Sequence, residues 1–218
     1  MKRLHFTSIA LLVLIAVLAF TGCTRRDDYY DPTPPPPPPT GYQYKFDEQF
    51  NNDTRGWAFD DPVDSAYALV QNGEYKFVDY SLTGGLHTAV VPTSADVDND
   101  FLVQTRLESN YAMALIFGAS NTHFGFSFFI DNAGYFAIYN EGGTNQSFQT
   151  LQDWTSTSVI NETGYNDVEI EQRNNRWYFY INGTQVATMN AIYMPGDQFG
   201  FMVLANTTGY ADYLTVKW

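Results

Sequence analysis

Asp167-Val-Glu169-Ile-Glu171 places three carboxylates at i, i+2 and i+4. On an extended strand alternate side chains share a face, so these acids point one way, with successive ones ~6.5–7 Å apart. Flexible side chains can close that to the ~5–5.5 Å that a retaining pair needs for work on a glycosidic bond. A few residues on, Tyr178 and Tyr180 offer flat rings beside Glu169, Glu171 and Asn182. Rings with adjacent hydrogen-bonding groups hold sugar planes, because C–H faces stack and hydroxyls need partners. Tyr139 and Trp154 are further rings of this kind. The bland alternative is a solvated acidic face with tyrosines shielding backbone, and Tyr139 and Trp154 suit a core equally well.

These residues must be positioned by a three-stranded meander over Asn166–Met189. Val168 and Ile170 alternate with Asp167, Glu169 and Glu171, a period of two with one apolar face. Asn174-Asn175 supplies a two-residue turn, because Asn tolerates positive φ, and Asn182-Gly183 is the stronger hairpin signal. The first turn sets Ile170 opposite Phe179 and Val168 opposite Ile181. It also sets Glu171 opposite Tyr178 and Glu169 opposite Tyr180. The second turn sets Phe179 beside Val186. A slip of one residue would destroy the agreement of faces.

The rest of 41–218 reads the same way. Strands are expected at 44–50, 66–70, 74–80, 86–91, 100–108, 111–117, 123–130, 134–140, 147–154, 199–205 and 212–218, with 51–64 a loop carrying Trp57. Phe124, Phe126, Phe128 and Ile130 are expected on one face. Gly, Asn, Asp and Thr punctuate every eight to twelve residues, and no helical period appears. Two antiparallel sheets packed face to face follow, an all-β sandwich.

The order of the parts resembles the concanavalin A-like jelly-roll superfamily, which includes laminin-G-like modules and laminarinase-type glucanases. The resemblance rests on Trp57, the Asp-Val-Glu-Ile-Glu strand, Trp177-Tyr-Phe-Tyr-Ile-Asn-Gly183, Gly196-Asp-Gln-Phe-Gly-Phe201 and Ala211-Asp-Tyr-Leu-Thr-Val216. It implies a jelly roll over most of 44–218. The glucanases carry Glu-x-Asp-x-Glu on an earlier strand. Here Asp167 stands where a Glu is expected and Glu169 where an Asp is, directly before the final hairpin. The resemblance therefore implies a glycan- or protein-binding domain without catalysis. A glycoside hydrolase, glucanase-like or acting on 3-keto-disaccharides, is the alternative, and a scaffold subunit of an envelope complex is another. The superfamily often ties its first and last strands with one calcium ion, and Asp47 and Asp212 match those positions.

Asp96-Val-Asp98-Asn-Asp100 begins like a calcium loop, but Phe101 and Leu107 stand where Gly and Glu are required. His87 and His123 lie far apart and flank no cysteine, which excludes a local zinc motif. The chain carries a net charge of −13. Nucleic acid is a poor partner for that balance.

Residues 1–22 read as a signal peptide: Lys2 and Arg3, then an apolar run too short to span a bilayer, then Thr21-Gly22 before Cys23. This resembles a bacterial lipobox, implying that Cys23, the one cysteine, becomes a lipid-bearing N-terminus. Pro32–Thr40 is nearly all proline and reads as an extended polyproline II stalk within a 23–40 tether. The resemblance implies an outer-membrane lipoprotein of a Gram-negative cell, on the periplasmic side or the surface, with 41–218 as one jelly-roll domain.

Overall fold

The computed structural model describes residues 41–218 apart from Thr83 and Asn145; the signal peptide, Cys23 and the tether lie outside the described residues. In chain order the strands are β1 (Lys45–Glu48), β2 (Phe59–Asp61), β3 (Ala66–Gln71), β4 (Glu74–Asp79), β5 (Leu86–Pro92), β6 (Phe101–Ser109), β7 (Ala112–Ala119) and β8 (Phe126–Asp131). They continue as β9 (Tyr135–Asn140), β10 (Gln149–Ser156), β11 (Asn166–Arg173), β12 (Arg176–Ile181), β13 (Thr184–Asn190), β14 (Gln198–Leu204) and β15 (Thr207–Lys217). Among the described residues there is no helix. Sheet I runs β13-β12-β11-β6-β15-β4-β3-β2, with β1 also on β15; sheet II runs β10-β9-β8-β7-β14-β5. The two antiparallel sheets form the expected sandwich.

The meander register is the expected one. Val168 pairs with Ile181, Glu169 with Tyr180, Ile170 with Phe179 and Glu171 with Tyr178. Asn174, Asn175, Asn182 and Gly183 all have positive φ, as tight primed turns require. The next ladder differs from expectation. Ile181 pairs with Thr184 and Tyr180 with Gln185, but an extra residue then sets Phe179 opposite Ala187 instead of Val186. This bulge falls on an edge strand, where a locally broken ladder costs least.

Alternation decides what is inside. Val103, Leu107, Val168, Ile170, Phe179, Ile181, Leu214 and Val216 face the interior from sheet I. Met113, Leu115, Phe117, Phe126, Phe128, Phe199 and Phe201 meet them from sheet II. Trp177 packs edge-on against Phe126, with ring centroids 4.8 Å apart, and against Phe117 at 5.1 Å. A second aromatic nucleus joins Phe50, Trp57, Tyr75 and Phe201. Trp57 belongs to a connection, as expected, yet it is buried. Asp53 accepts its backbone N–H and Glu48 its indole N–H at 3.1 Å. At one end His87 donates from Nδ1 to Asp79 at 2.7 Å, joining β5 of sheet II to β4 of sheet I.

Several strand bounds differ from the expected ones: β2 forms inside the expected 51–64 loop, β10 starts at Gln149 and β15 at Thr207, and two further starts matter for the surface. Strand β8 begins at Phe126, because Gly125 turns the chain at φ +84. Phe124 is therefore 62% exposed and does not share the face of Phe126. Strand β7 begins at Ala112, leaving Tyr111 at its mouth.

Candidate functional site

The outer face of sheet I holds the acids and phenols singled out by spacing. Register brings Glu169, Glu171, Tyr178 and Tyr180 together as adjacent cross-strand pairs. Each acid also has a protein partner. Gln104 donates to Glu169 at 2.7 Å, and Lys217 donates to the same Gln104 at 3.1 Å. Arg173 lies 3.3 Å from Glu171, and its guanidinium sits over the Tyr178 ring at 4.8 Å. Glu171, Arg173 and Tyr180 are buried. Burial pushes the Glu169 carboxyl above its ordinary value, opposed by the Gln104 bond and the Lys217 charge. Burial likewise lifts Glu171, with Arg173 opposing and Glu169 and Asp100 adding. Burial and the nearby Glu171 push Tyr180 up to about 12. Most of these groups are partnered within the protein, and Oε1 of Glu171, buried without a hydrogen bond, is held by the Arg173 charge at 3.3 Å.

Asp47 and Asp212 are not brought to one point. Asp47 pairs with Thr215, three residues from Asp212 on β15, roughly 10 Å at ~3.3 Å per residue. Asp47 bonds Lys45 and Gln49, and Asp212 bonds Arg106 at 3.3 Å. Two carboxylates turned to separate cations or amides do not form the multi-oxygen shell that calcium takes. Among the described residues no group of three or more His, Cys, Asp or Glu converges as a metal site.

The outer face of sheet II has a different character. Tyr111, Ala112, Asp131, Tyr135 and Trp154 line a cleft of about 210 Å³. That is small beside the ~300–1,000 Å³ of drug-sized pockets, so it suits a single ring. Its parts come from four neighbouring strands, β7 to β10. Ala112 pairs with Asp131 across β7 and β8 and, having only a methyl group, leaves a floor. Asp131 Oδ1 accepts the backbone N–H groups of Ala133 at 2.9 Å and Tyr135 at 2.7 Å. The Asn132 backbone N–H donates to the Tyr111 carbonyl at 2.9 Å. One β8–β9 turn thus fixes both tyrosines and the acid. Trp154 projects from β10, whose register on β9 shifts twice around Gln152. Its backbone N–H donates to Asp153 at 2.8 Å. Tyr111, Tyr135 and Trp154 are 50, 41 and 37% exposed, far more than rings recruited to a core.

Beyond the cleft, further rings pack over Phe129, which is buried beneath them. Phe129 lies 5.9 Å from Trp154 and 6.1 Å from Tyr139, and Tyr139 lies 5.2 Å from Phe148. Ala112, Ala114, Ile116, Phe129, Ala137 and Met202 form a second apolar cluster on this side of sheet II, separate from the main core. Burial raises the Tyr139 hydroxyl, helped by Asp153 and Glu141, while a hydrogen bond from Trp154 pulls it down. The Ser127 hydroxyl donates to Glu141, whose carboxyl is pushed up by burial and drawn back by that bond. His123 steadies the loop leading to Phe148. The Gly125 N–H donates to Nδ1 at 2.9 Å, so Nε2 carries the proton and donates to Gln146 at 2.8 Å.

Asp131 and Glu141 on this face are too far apart for paired hydrolysis. Asp131 and Ser127, the partner of Glu141, are four residues apart on β8, roughly 13 Å at ~3.3 Å per residue. Inverting pairs need ~6.5–9.5 Å and retaining pairs less. The arrangement can stack and hydrogen-bond a ligand.

Of the rings named from sequence, Trp154 lines the cleft and Tyr139 adjoins it. Tyr111, Asp131 and Tyr135 were not singled out there. Their one sequence signal is position: two tyrosines beside Asn or Gly turn residues, where a strand has no neighbour to cover them.

No family model matches the chain, and no curated protein matches it. Solved structures share its fold. A carbohydrate-binding module, CBM66 from Bacillus subtilis, is 16% identical with a TM-score of 0.51, over 66% of this chain and 86% of that one. The CBM2 module of the evolved Dit of Lactobacillus casei BL23 phage J-1 is 13% identical with a TM-score of 0.53, over 79% and 94%. A native glycosidic hydrolase is 12% identical with a TM-score of 0.51, over 83% and 98%. Identities this low speak to the all-β sandwich and not to an activity.

Proposed function

We propose that the domain binds a glycan on the outer face of sheet II and performs no chemistry on it. The observation that carries this reading is the cleft: three exposed rings from separate strand ends around one carboxylate. An apolar ring face covers sugar C–H groups, and Asp131 accepts from hydroxyls with the lone pairs its turn leaves open. Carbohydrate-binding modules among the fold neighbours support the reading at the level of architecture. Titration of the full-length chain with a glycan array tests it. Binding that falls on Trp154→Ala or Tyr135→Ala supports it, and binding indifferent to both removes it.

A hydrolase is the second reading, kept open by the raised proton affinity of Glu169 and Glu171. Glu169→Gln and Glu171→Gln decide it. Turnover of β-glucans that survives both changes removes these acids from catalysis.

The same reading places the domain on a cell envelope: residues 1–22 as a signal peptide, Cys23 as a lipid carrier, and 23–40 as a stalk from an outer membrane. Its support is the sequence pattern alone. Metabolic labelling with a radioactive fatty acid tests it, with label expected on the chain and lost on Cys23→Ala.

A further inference from the structure

Resting on that glycan reading, we propose that the ligand is an electrically neutral polysaccharide, held over at least three sugar units, and that this face rejects anionic glycans. The first observation is charge segregation. From Leu107 to Gln172 the chain holds no Lys or Arg, and β5 and β14 hold none either. All of sheet II therefore lacks a cation. The described cations, Lys45, Arg55, Lys76, Arg106, Arg173, Arg176 and Lys217, belong to sheet I or to the β1–β2 connection. Uronates, sulfates and phosphates are held by guanidinium forks or ammonium groups. Here they would meet Asp131, Asp153 and Glu141 with nothing to offset the repulsion.

A polycation is also disfavoured. Asp131 spends Oδ1 on two backbone N–H groups, Asp153 accepts the Trp154 backbone N–H, and Glu141 takes the Ser127 hydroxyl. What remains is a surface of rings with scattered acceptors, the complement of a neutral sugar.

The second observation is length. Beyond the cleft, Trp154 and Tyr139 both pack over Phe129, which is buried beneath them, and Tyr139 packs against Phe148 at 5.2 Å, so the rings solvent can reach run from Trp154 through Tyr139 to Phe148. With the cleft, Tyr139 and Phe148 as successive contacts, this face offers three places for sugar units of one chain. Phe148, 57% exposed, offers a second platform beyond the cleft.

Affinity electrophoresis of the full-length chain in gels containing β-glucan, xylan, glucomannan, polygalacturonate, alginate or chitosan tests the charge claim. Retardation by at least one neutral polymer, with none by the polyuronates or chitosan, is expected. Stronger retardation by a charged polymer overturns the inference while leaving glycan binding intact. No retardation by any of the six removes glycan binding and the inference together. Oligosaccharides of one to six units cut from the retarding polymer test length. Affinity should rise at least tenfold from one unit to three or four and then level. Phe148→Ala should erase that rise while sparing the single-unit affinity. A monosaccharide bound as tightly as the tetramer overturns the length claim.

Discussion

The outer faces of the two sheets carry the same kinds of residue and use them differently. On sheet I the phenols and carboxylates turn to each other and to Gln104, Arg173 and Lys217. On sheet II the rings of Tyr111, Tyr135 and Trp154 open to solvent around Asp131. The difference teaches that an aromatic–acid pattern marks a binding surface only where the protein itself leaves the groups unspent. A network whose charges are already paired within the protein gains little by exchanging those partners for a ligand's.

Removing one member of the sheet I network gives the largest expected effect. Arg173→Ala leaves Glu171 buried without its cation and should cost about 3–5 kcal/mol of stability by urea denaturation. Glycan affinity measured well below the unfolding midpoint should not move. On sheet II the expectation inverts. Trp154→Ala should weaken binding by about 2 kcal/mol, roughly thirtyfold, with a much smaller change in stability, as calorimetric titration would read. Loss of stability without loss of affinity at Trp154 would erase the contrast between the faces.

Asp131→Asn sharpens the contrast at smaller scale. The Asn oxygen can still accept from Ala133 and Tyr135, so the turn should hold. A neutral acceptor is weaker than a charged one, so affinity should fall by about 1 kcal/mol, some fivefold, in the same titration.

The smallest expected effect is on pH dependence. Burial lifts Glu141 above its ordinary value in the folded state, so the fold holds that proton more tightly than the unfolded chain does. The stability tied to this group is complete below the ordinary Glu range of ~4.3 and is lost as pH rises through the raised value. Glu141→Gln removes that loss and keeps an acceptor for Ser127. The variant should melt higher than the parent at pH 7, with the gap closing toward pH 4. A gap that widens on acidification would reverse the assigned sign.

Much of the fold was legible because register follows from turn chemistry. Asn174-Asn175 and the alternation of Val168, Ile170, Phe179 and Ile181 dictate the β11–β12 ladder. The bulge beside it was not legible. Val186 and Ala187 are both small and apolar, and nothing in their types marks an extra residue. Phe124 failed for a similar reason: alternation continues through Gly125 on paper, while the backbone turns there. The site was half legible. Trp154 and Tyr139 stood out as rings, and the acid–phenol face stood out by spacing. Spacing reports which groups share a face, but it is silent on whether Gln104 or Arg173 has already claimed them. The cleft is assembled from Tyr111, Asp131, Tyr135 and Trp154, whose proximity comes from the β7-β8-β9-β10 neighbour order.

Amide chemical-shift mapping on the isotope-labelled full-length chain, titrated with whichever neutral oligosaccharide binds, compares both faces in one measurement. Shifts concentrated at Tyr111–Ala112, Asp131–Tyr135 and Phe148–Trp154, with Glu169–Glu171 and Tyr178–Tyr180 still, are the predicted result. Shifts concentrated at the glutamates and tyrosines of sheet I, with the sheet II cleft still, would contradict it.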